Sequence, residues 1–205
     1  MLVRIQSSLE CGSYRGIKLL EHVMKILERV IDGRVRRIVK VDDMQFGFMA
    51  GKGTTDAIFV VRQLQEKYLA KKKDLWMAFV DLEKAFDRVP REVVWWALRK
   101  LGVDEWIVSV IKSMYEGATT AVKVNGRMSK AFAVRVGVHQ GSVLSPLLFI
   151  IVLEALSREF RGGLPMELLY ADDLVLLADT MEDLIEKVKR WRVGMVEKGL
   201  RINLD

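Results

Sequence analysis

Two short apolar runs, Met166–Leu169 and Leu174–Ala178, are separated only by Tyr170-Ala171-Asp172-Asp173. Runs of strand length so close together are expected to pair as a hairpin, with the intervening residues at its tip. That tip carries two carboxylates, which an apolar core does not hold unpaired. Asp is favoured in turns because it bonds its own backbone. Paired Asp side chains at a sheet edge are equally well placed to hold a hard divalent cation through oxygen. Taken by itself, the segment supports both readings.

A third carboxylate shifts the balance towards metal. Leu75–Val80 is a continuous apolar run, the pattern of a strand buried on both faces, and it stops at Asp81. Beside the hairpin, such a strand brings Asp81 to Asp172 and Asp173. Carboxylates converging in this way can bind two metal ions about 3.5–4 Å apart for in-line phosphoryl displacement. Asp81 and Asp87 can also be read as the cap and first-turn acid of the helix that Pro90 opens. That reading suits Asp87 better than Asp81.

The rest of the chain reads as helices mixed with hairpins, an α+β arrangement. Lys18 to about Arg37 repeats apolar residues at helical spacing (Leu19, Leu20, Val23, Met24, Leu27, Val30, Ile31), and its basic tail, Arg34, Arg36 and Arg37, is either a solvated end or a phosphate contact. Asp56–Ala70 is a second amphipathic helix. Arg91–Leu101 and Glu105–Glu116 are two more, split by Gly102. Thr119–Val124 and Ser129–Val136 flank Asn125-Gly126, a strong hairpin signal. Ser145 as cap with Pro146 at the first position starts a helix to about Phe160, and Met181–Lys198 ends at Gly199. Leu200–Leu204 begins a last strand.

Composition narrows the partners. A chain of 205 residues, 51% hydrophobic, can bury a full core, and a net charge of +6 suits a polyanion. The single Cys11 precludes an internal disulfide, and His22 and His139 make no zinc set. The N-terminus has no signal-peptide apolar region. The longest apolar stretch, Val143–Leu153, is interrupted by Ser145-Pro146 and falls short of the ~18 residues of a membrane span. A nuclear or cytoplasmic setting without a membrane partner is expected.

Three segments carry a resemblance. Phe79-Val80-Asp81-Leu82-Glu83-Lys84-Ala85-Phe86-Asp87 resembles the first catalytic motif of reverse transcriptases. Gly137-Val138-His139-Gln140-Gly141-Ser142-Val143-Leu144-Ser145-Pro146 resembles the second, and Tyr170-Ala171-Asp172-Asp173 the third, in the family's order. Tyr14-Arg15-Gly16-Ile17, Gln45-Phe46-Gly47-Phe48 and Gly51-Lys52-Gly53-Thr54-Thr55-Asp56-Ala57 are similar to the fingers segments of non-LTR retrotransposon enzymes.

The resemblance implies a right-hand polymerase: fingers over about residues 1–73 and a palm over 74–205, its antiparallel sheet backed by helices. It implies RNA-directed DNA synthesis from dNTPs on an RNA template and a DNA primer. Asp81, Asp172 and Asp173, with the backbone carbonyl of Leu82, would hold two Mg²⁺ ions, Mn²⁺ being an alternative. One ion would lower the pKa of the primer 3′-hydroxyl and the other would neutralise the triphosphate. Phe86 corresponds to the steric gate that excludes a 2′-hydroxyl. Gln140 would position the incoming nucleotide, Gly141 would allow close backbone approach, Arg15 would face the triphosphate and Tyr170 would lie near the primer end. For Phe86 the residue alone suggests a core side chain, for Arg15 a surface cation and for Tyr170 a packed strand aromatic.

Some features depart from the family pattern. Ala50 and Gly16 stand where relatives often carry Pro. The chain stops at Gly199–Asp205, inside the segment that in relatives leads to the thumb, so a fingers-and-palm fragment with the thumb absent is expected. A non-catalytic remnant that binds nucleic acid or a partner is the alternative, yet Asp81, Asp172 and Asp173 are all intact. Ala171 and Phe86 argue against an RNA-dependent RNA polymerase. An intron-encoded or telomerase-type enzyme is the nearer rival to a non-LTR element.

Overall fold

The chain, a computed structural model describing residues 2–4, 14–16, 18–124, 126–162 and 166–203, opens on a ribbon of β1 (Leu2–Arg4) and β2 (Tyr14–Gly16). Helices α1 (His22–Ile38) and α2 (Thr54–Ala70) follow, then β3 (Trp76–Asp81) and the short α3 (Ala85–Arg88). Next come α4 (Arg91–Lys100) and α5 (Glu105–Tyr115). A hairpin is built from β4 (Thr119–Thr120), β5 (Lys123–Val124), β6 (Arg127–Met128) and β7 (Phe132–Ala133). Helix α6 (Ser145–Ser157) leads to β8 (Glu167–Tyr170) and β9 (Asp173–Ala178), and α7 (Met181–Val196) closes the order.

Pairing is antiparallel throughout the central sheet, in the order β3-β9-β8, so the hairpin that carries Asp172 and the Asp81 strand are neighbours. The register runs from Trp76↔Ala178 to Asp81↔Asp173 and from Glu167↔Leu176 to Tyr170↔Asp173. Single bridges extend it on both sides: Ile202 pairs antiparallel with Leu82, and Gln45 pairs parallel with Leu169. Of the strand expected over Leu200–Leu204 the described residues show this one bridge, and Leu204 lies outside them. The Asn125-Gly126 hairpin forms too, although Asn125 itself lies outside the described residues. Its ladder is carried across the unpaired middle by Ser129, whose N–H donates to the Val122 carbonyl (2.9 Å) while its Oγ accepts from Val122 N–H (2.9 Å).

Helix α6 is apolar on every side, a pattern that suits only a core helix. Apart from Pro146 every one of its residues is buried. It packs against α4 and α7, while α7 lies directly on β3 and β9 and α2 touches β8. Trp191 of α7 is fully buried with Phe160 edge-on to it at 4.9 Å.

Three sequence expectations need correcting. Strand β3 is not buried along its whole length: Val80 is buried and Met77 packs towards α2, but Phe79, on the same face as Met77, is 74% exposed where that face borders a cavity beside α2. Only part of the apolar set read for α1 forms its inner face. Leu19, Val23, Leu27 and Val30 are exposed, and Glu28, Ile31 and Val35 are buried. Glu28 supplies the reason, since its carboxylate accepts from Ser142 Oγ (2.7 Å) and from Val143 N–H (2.8 Å), turning the helix to meet that loop. Finally, Ser145 is the first residue of α6 and not its cap. Leu144 stands at the cap position, and Ser142 serves the helix end from two residues earlier, its Oγ accepting from the N–H groups of Leu144 and Ser145, both at 3.2 Å.

Candidate active site

Asp81 ends β3 directly opposite Asp173, and opposed residues project to the same face with Cβ atoms about 4.5–5.5 Å apart. Asp172 sits in the intervening turn, where Leu82 N–H donates to the Asp172 carbonyl (3.2 Å) and Asn203 N–H donates to the Asp81 carbonyl (2.8 Å). Two strand ends and the C-terminal segment are therefore laced together at the carboxylates. A cleft of about 850 Å³ opens there, lined by Asp81 and Asp172 together with Lys25, Arg29, Phe86 and Gln140. Leu82 and Gly141 also line it. Asp173, on the same face as Asp81, borders with Tyr170, Phe79 and Val175 an adjoining apolar cavity of about 310 Å³ between the sheet and α2.

Burial raises the pKa of the Asp173 carboxyl, and the charges of Asp172 and Asp81 raise it further. The strand ends thus gather negative charge that a cation would relieve. Among the described residues no three His, Cys, Asp or Glu groups already stand at metal-binding spacing. The donor set itself, Asp oxygens from two strands facing one cleft, fits a hard divalent ion that retains waters and takes substrate phosphate oxygens.

Phe86 has both characters that the sequence left open. It stacks on the buried Phe149 (4.7 Å between centroids), takes Phe48 edge-on (6.3 Å), and still lines the cleft. Gln140 is oriented by Asp87, whose Oδ2 accepts from its Nε2 at 2.8 Å. Asp87 therefore acts on the second motif as well as in the first turn of α3. The loop carrying Gln140 is held from below. Arg91 donates to the carbonyls of Gly137 (3.3 Å), Tyr115 (3.1 Å) and Val134 (2.6 Å), and Val138 N–H donates to the Phe86 carbonyl (2.8 Å).

His139 stacks on Tyr115 at 4.4 Å, and burial, helped by the positive charges of Lys18 and Arg91, lowers its pKa to about 4. The folded chain keeps this imidazole neutral, whereas the unfolded chain protonates it near the ordinary value of about 6.5. Between those values the unfolded state binds more protons, so folding stability falls as pH drops from about 6.5 to about 4. Urea titrations across that window should show this slope, and His139→Phe should flatten it. An unchanged slope in the variant would assign the acid sensitivity to other groups.

Two cleft residues were missed in the sequence. Lys25 and Arg29 stand one helical turn apart on α1 and line the same cleft as Asp81 and Asp172. Their i, i+4 spacing was visible, but nothing local says which side of α1 turns inward. Arg15 pairs through its backbone with Val3, and its side chain lies outside the described residues.

Comparison with known proteins agrees with this geometry. A family model described as "Reverse transcriptase (RNA-dependent DNA polymerase)" matches residues 6–205. The Pol polyprotein of retrotransposable element R2 from Nasonia vitripennis is 28% identical over 95% of this chain. The probable RNA-directed DNA polymerase of transposon BS from Drosophila melanogaster is 32% identical over 80% of it. The chain spans about a fifth of the length of these curated relatives, 20% and 19% respectively. Among solved structures, telomerase from Candida albicans, in complex with a fragment of telomeric RNA, superposes on 89% of this chain and 33% of its own at a TM-score of 0.65 and 14% identity, a likeness of fold. The relatives are polymerases of non-LTR retrotransposons, and the chain belongs to the reverse transcriptase (RNA-dependent DNA polymerase) family.

Proposed function

We propose that this chain carries out RNA-directed DNA synthesis, joining a deoxynucleoside triphosphate to the 3′-hydroxyl of a DNA primer on an RNA template. The observation that carries the reading is the meeting of Asp81 and Asp172 in one cleft also lined by Lys25, Arg29, Gln140 and Phe86. About residues 1–73 then serve as fingers and 74–205 as palm. Two Mg²⁺ ions, or Mn²⁺, held by Asp81 and Asp172 with Asp173 and the Leu82 carbonyl alongside, would favour the 3′-alkoxide and offset charge on the triphosphate. Lys25 and Arg29 bind the triphosphate as the cations of the cleft, with Arg15 a further candidate. Gln140, fixed by Asp87, orients the nucleotide, and Gly141 lets the backbone come close to it. Tyr170 lies on the primer side of the turn. The net charge of +6 draws the template and primer phosphates.

Phe86 excludes the ribose 2′-hydroxyl because its ring, pinned between Phe149 and Phe48, cannot swing aside. Phe86→Ala should raise the efficiency of ribonucleotide relative to deoxynucleotide incorporation by roughly 10–100-fold, the range that one steric element in a pocket commands. Single-nucleotide extension on an RNA template with dNTP and rNTP measures that ratio. A ratio equal to wild type would remove Phe86 from the gate.

A further inference from the structure

We propose that Gln45 is a positioning residue that locks the carboxylate turn, an inference that rests on the reading of Asp172 as a metal-binding carboxylate. Ala171, immediately before Asp172, adopts φ +57°, a left-handed conformation that is unfavourable for a residue with a Cβ. Something outside the hairpin must hold it. Gln45 is 1% exposed, and its Oε1 accepts two backbone N–H groups, that of Ala171 at 3.2 Å and that of Gly47 at 2.9 Å. Two donors converging on one atom require that atom to be the amide oxygen, which fixes the orientation of the side chain.

The backbone around Gln45 is anchored to the same hairpin. Phe46 N–H donates to the Leu169 carbonyl (2.8 Å), and Leu169 N–H donates to the Met44 carbonyl (2.9 Å). Gly47 closes the approach, since a Cβ there would lie 2.4 Å from the Ala171 nitrogen. The segment therefore grips the hairpin by main chain on one side and the turn by side chain at its tip. Gln45 touches no reacting group; it sets where Asp172 points. Such outer partners typically govern 10–100-fold in metal affinity.

The test combines backbone amide exchange by NMR with Mn²⁺ titration by electron paramagnetic resonance on the full 205-residue chain. In the wild type the Ala171 amide should be protected. Gln45→Met, which keeps the length but removes the acceptor, should expose it and weaken Mn²⁺ binding by about 10–100-fold. Gln45→Glu, which retains an acceptor oxygen, should keep the amide protected. Adding Ala171→Gly to Gln45→Met should recover much of the Mn²⁺ affinity, because glycine holds the left-handed turn unaided; a general loss of packing would not be rescued in this way. Unchanged Mn²⁺ affinity in Gln45→Met, or an unprotected Ala171 amide in the wild type, overturns the proposal. The second result decides the matter even if the Met variant does not fold. A wild-type chain that binds no Mn²⁺ overturns the reading of the carboxylates, while amide exchange still judges the clamp.

Discussion

Asp172→Asn should abolish nucleotide incorporation while leaving the chain at least as stable as the wild type. Loss of one carboxylate from a site that manages phosphate charge removes several kcal/mol of transition-state stabilisation, or about 10³-fold or more in rate. Stability moves the other way. The Asp173 carboxyl has its pKa raised by burial and by the charges of Asp172 and Asp81, so the folded state bears a repulsion that the unfolded chain does not. Because that pKa lies above its unfolded value, the native state holds the proton more tightly, and stability declines as pH rises from the ordinary carboxylate range through the raised one. Replacing Asp172 with Asn removes one source of the repulsion and narrows that window. Extension assays beside urea denaturation at neutral pH test both halves. Activity and stability falling together would mark Asp172 as a structural residue.

Gly137→Ala should be strongly destabilising. Gly137 adopts φ +78°, and a Cβ would fall 2.6 Å from the Asp87 carbonyl oxygen and 2.7 Å from that of Phe86. Both obstacles are backbone, so neither can rotate away. Left-handed strain of about 1–2 kcal/mol adds to an overpacking cost of about 1–3 kcal/mol. The total expected loss is about 2–5 kcal/mol. Gly51, at φ +75° with nothing within 4 Å of a built Cβ, isolates the first contribution. Gly51→Ala should cost only about 1–2 kcal/mol. Urea midpoints of the two variants settle the difference, and equal losses would mean that the loop at Gly137 relaxes freely. Incorporation should also fall in Gly137→Ala, because Gln140 rides on the same loop.

The carboxylates were legible because their placement follows from local rules. Strand length, the four-residue gap and the period of two place Asp81 beside Asp172 and Asp173 once the strands pair. The hairpin around Asn125-Gly126 and the all-apolar α6 were readable for similar reasons. What escaped depends on contacts distant in sequence. The inward face of α1 is chosen by Glu28 reaching Ser142 and Val143, more than a hundred residues away, and this turn of the helix also brings Lys25 and Arg29 into the cleft. For that reason the apolar periodicity in α1 found Ile31 but misplaced Val23, Leu27 and Val30, which are exposed. Strand β3 read as buried throughout because continuous apolar composition does not reveal where the cover of α2 stops short of Phe79.

The measurement that bears most directly on the central claim is single-nucleotide extension of an oligo(dT) primer on poly(rA) with dTTP and Mg²⁺, using the wild-type chain and Asp81→Asn in parallel. Incorporation by the wild type that requires Mg²⁺ and disappears in Asp81→Asn is the result expected of a nucleotidyl-transfer site between Asp81 and Asp172. A folded wild-type chain that incorporates nothing, or incorporation that persists in Asp81→Asn, would contradict it.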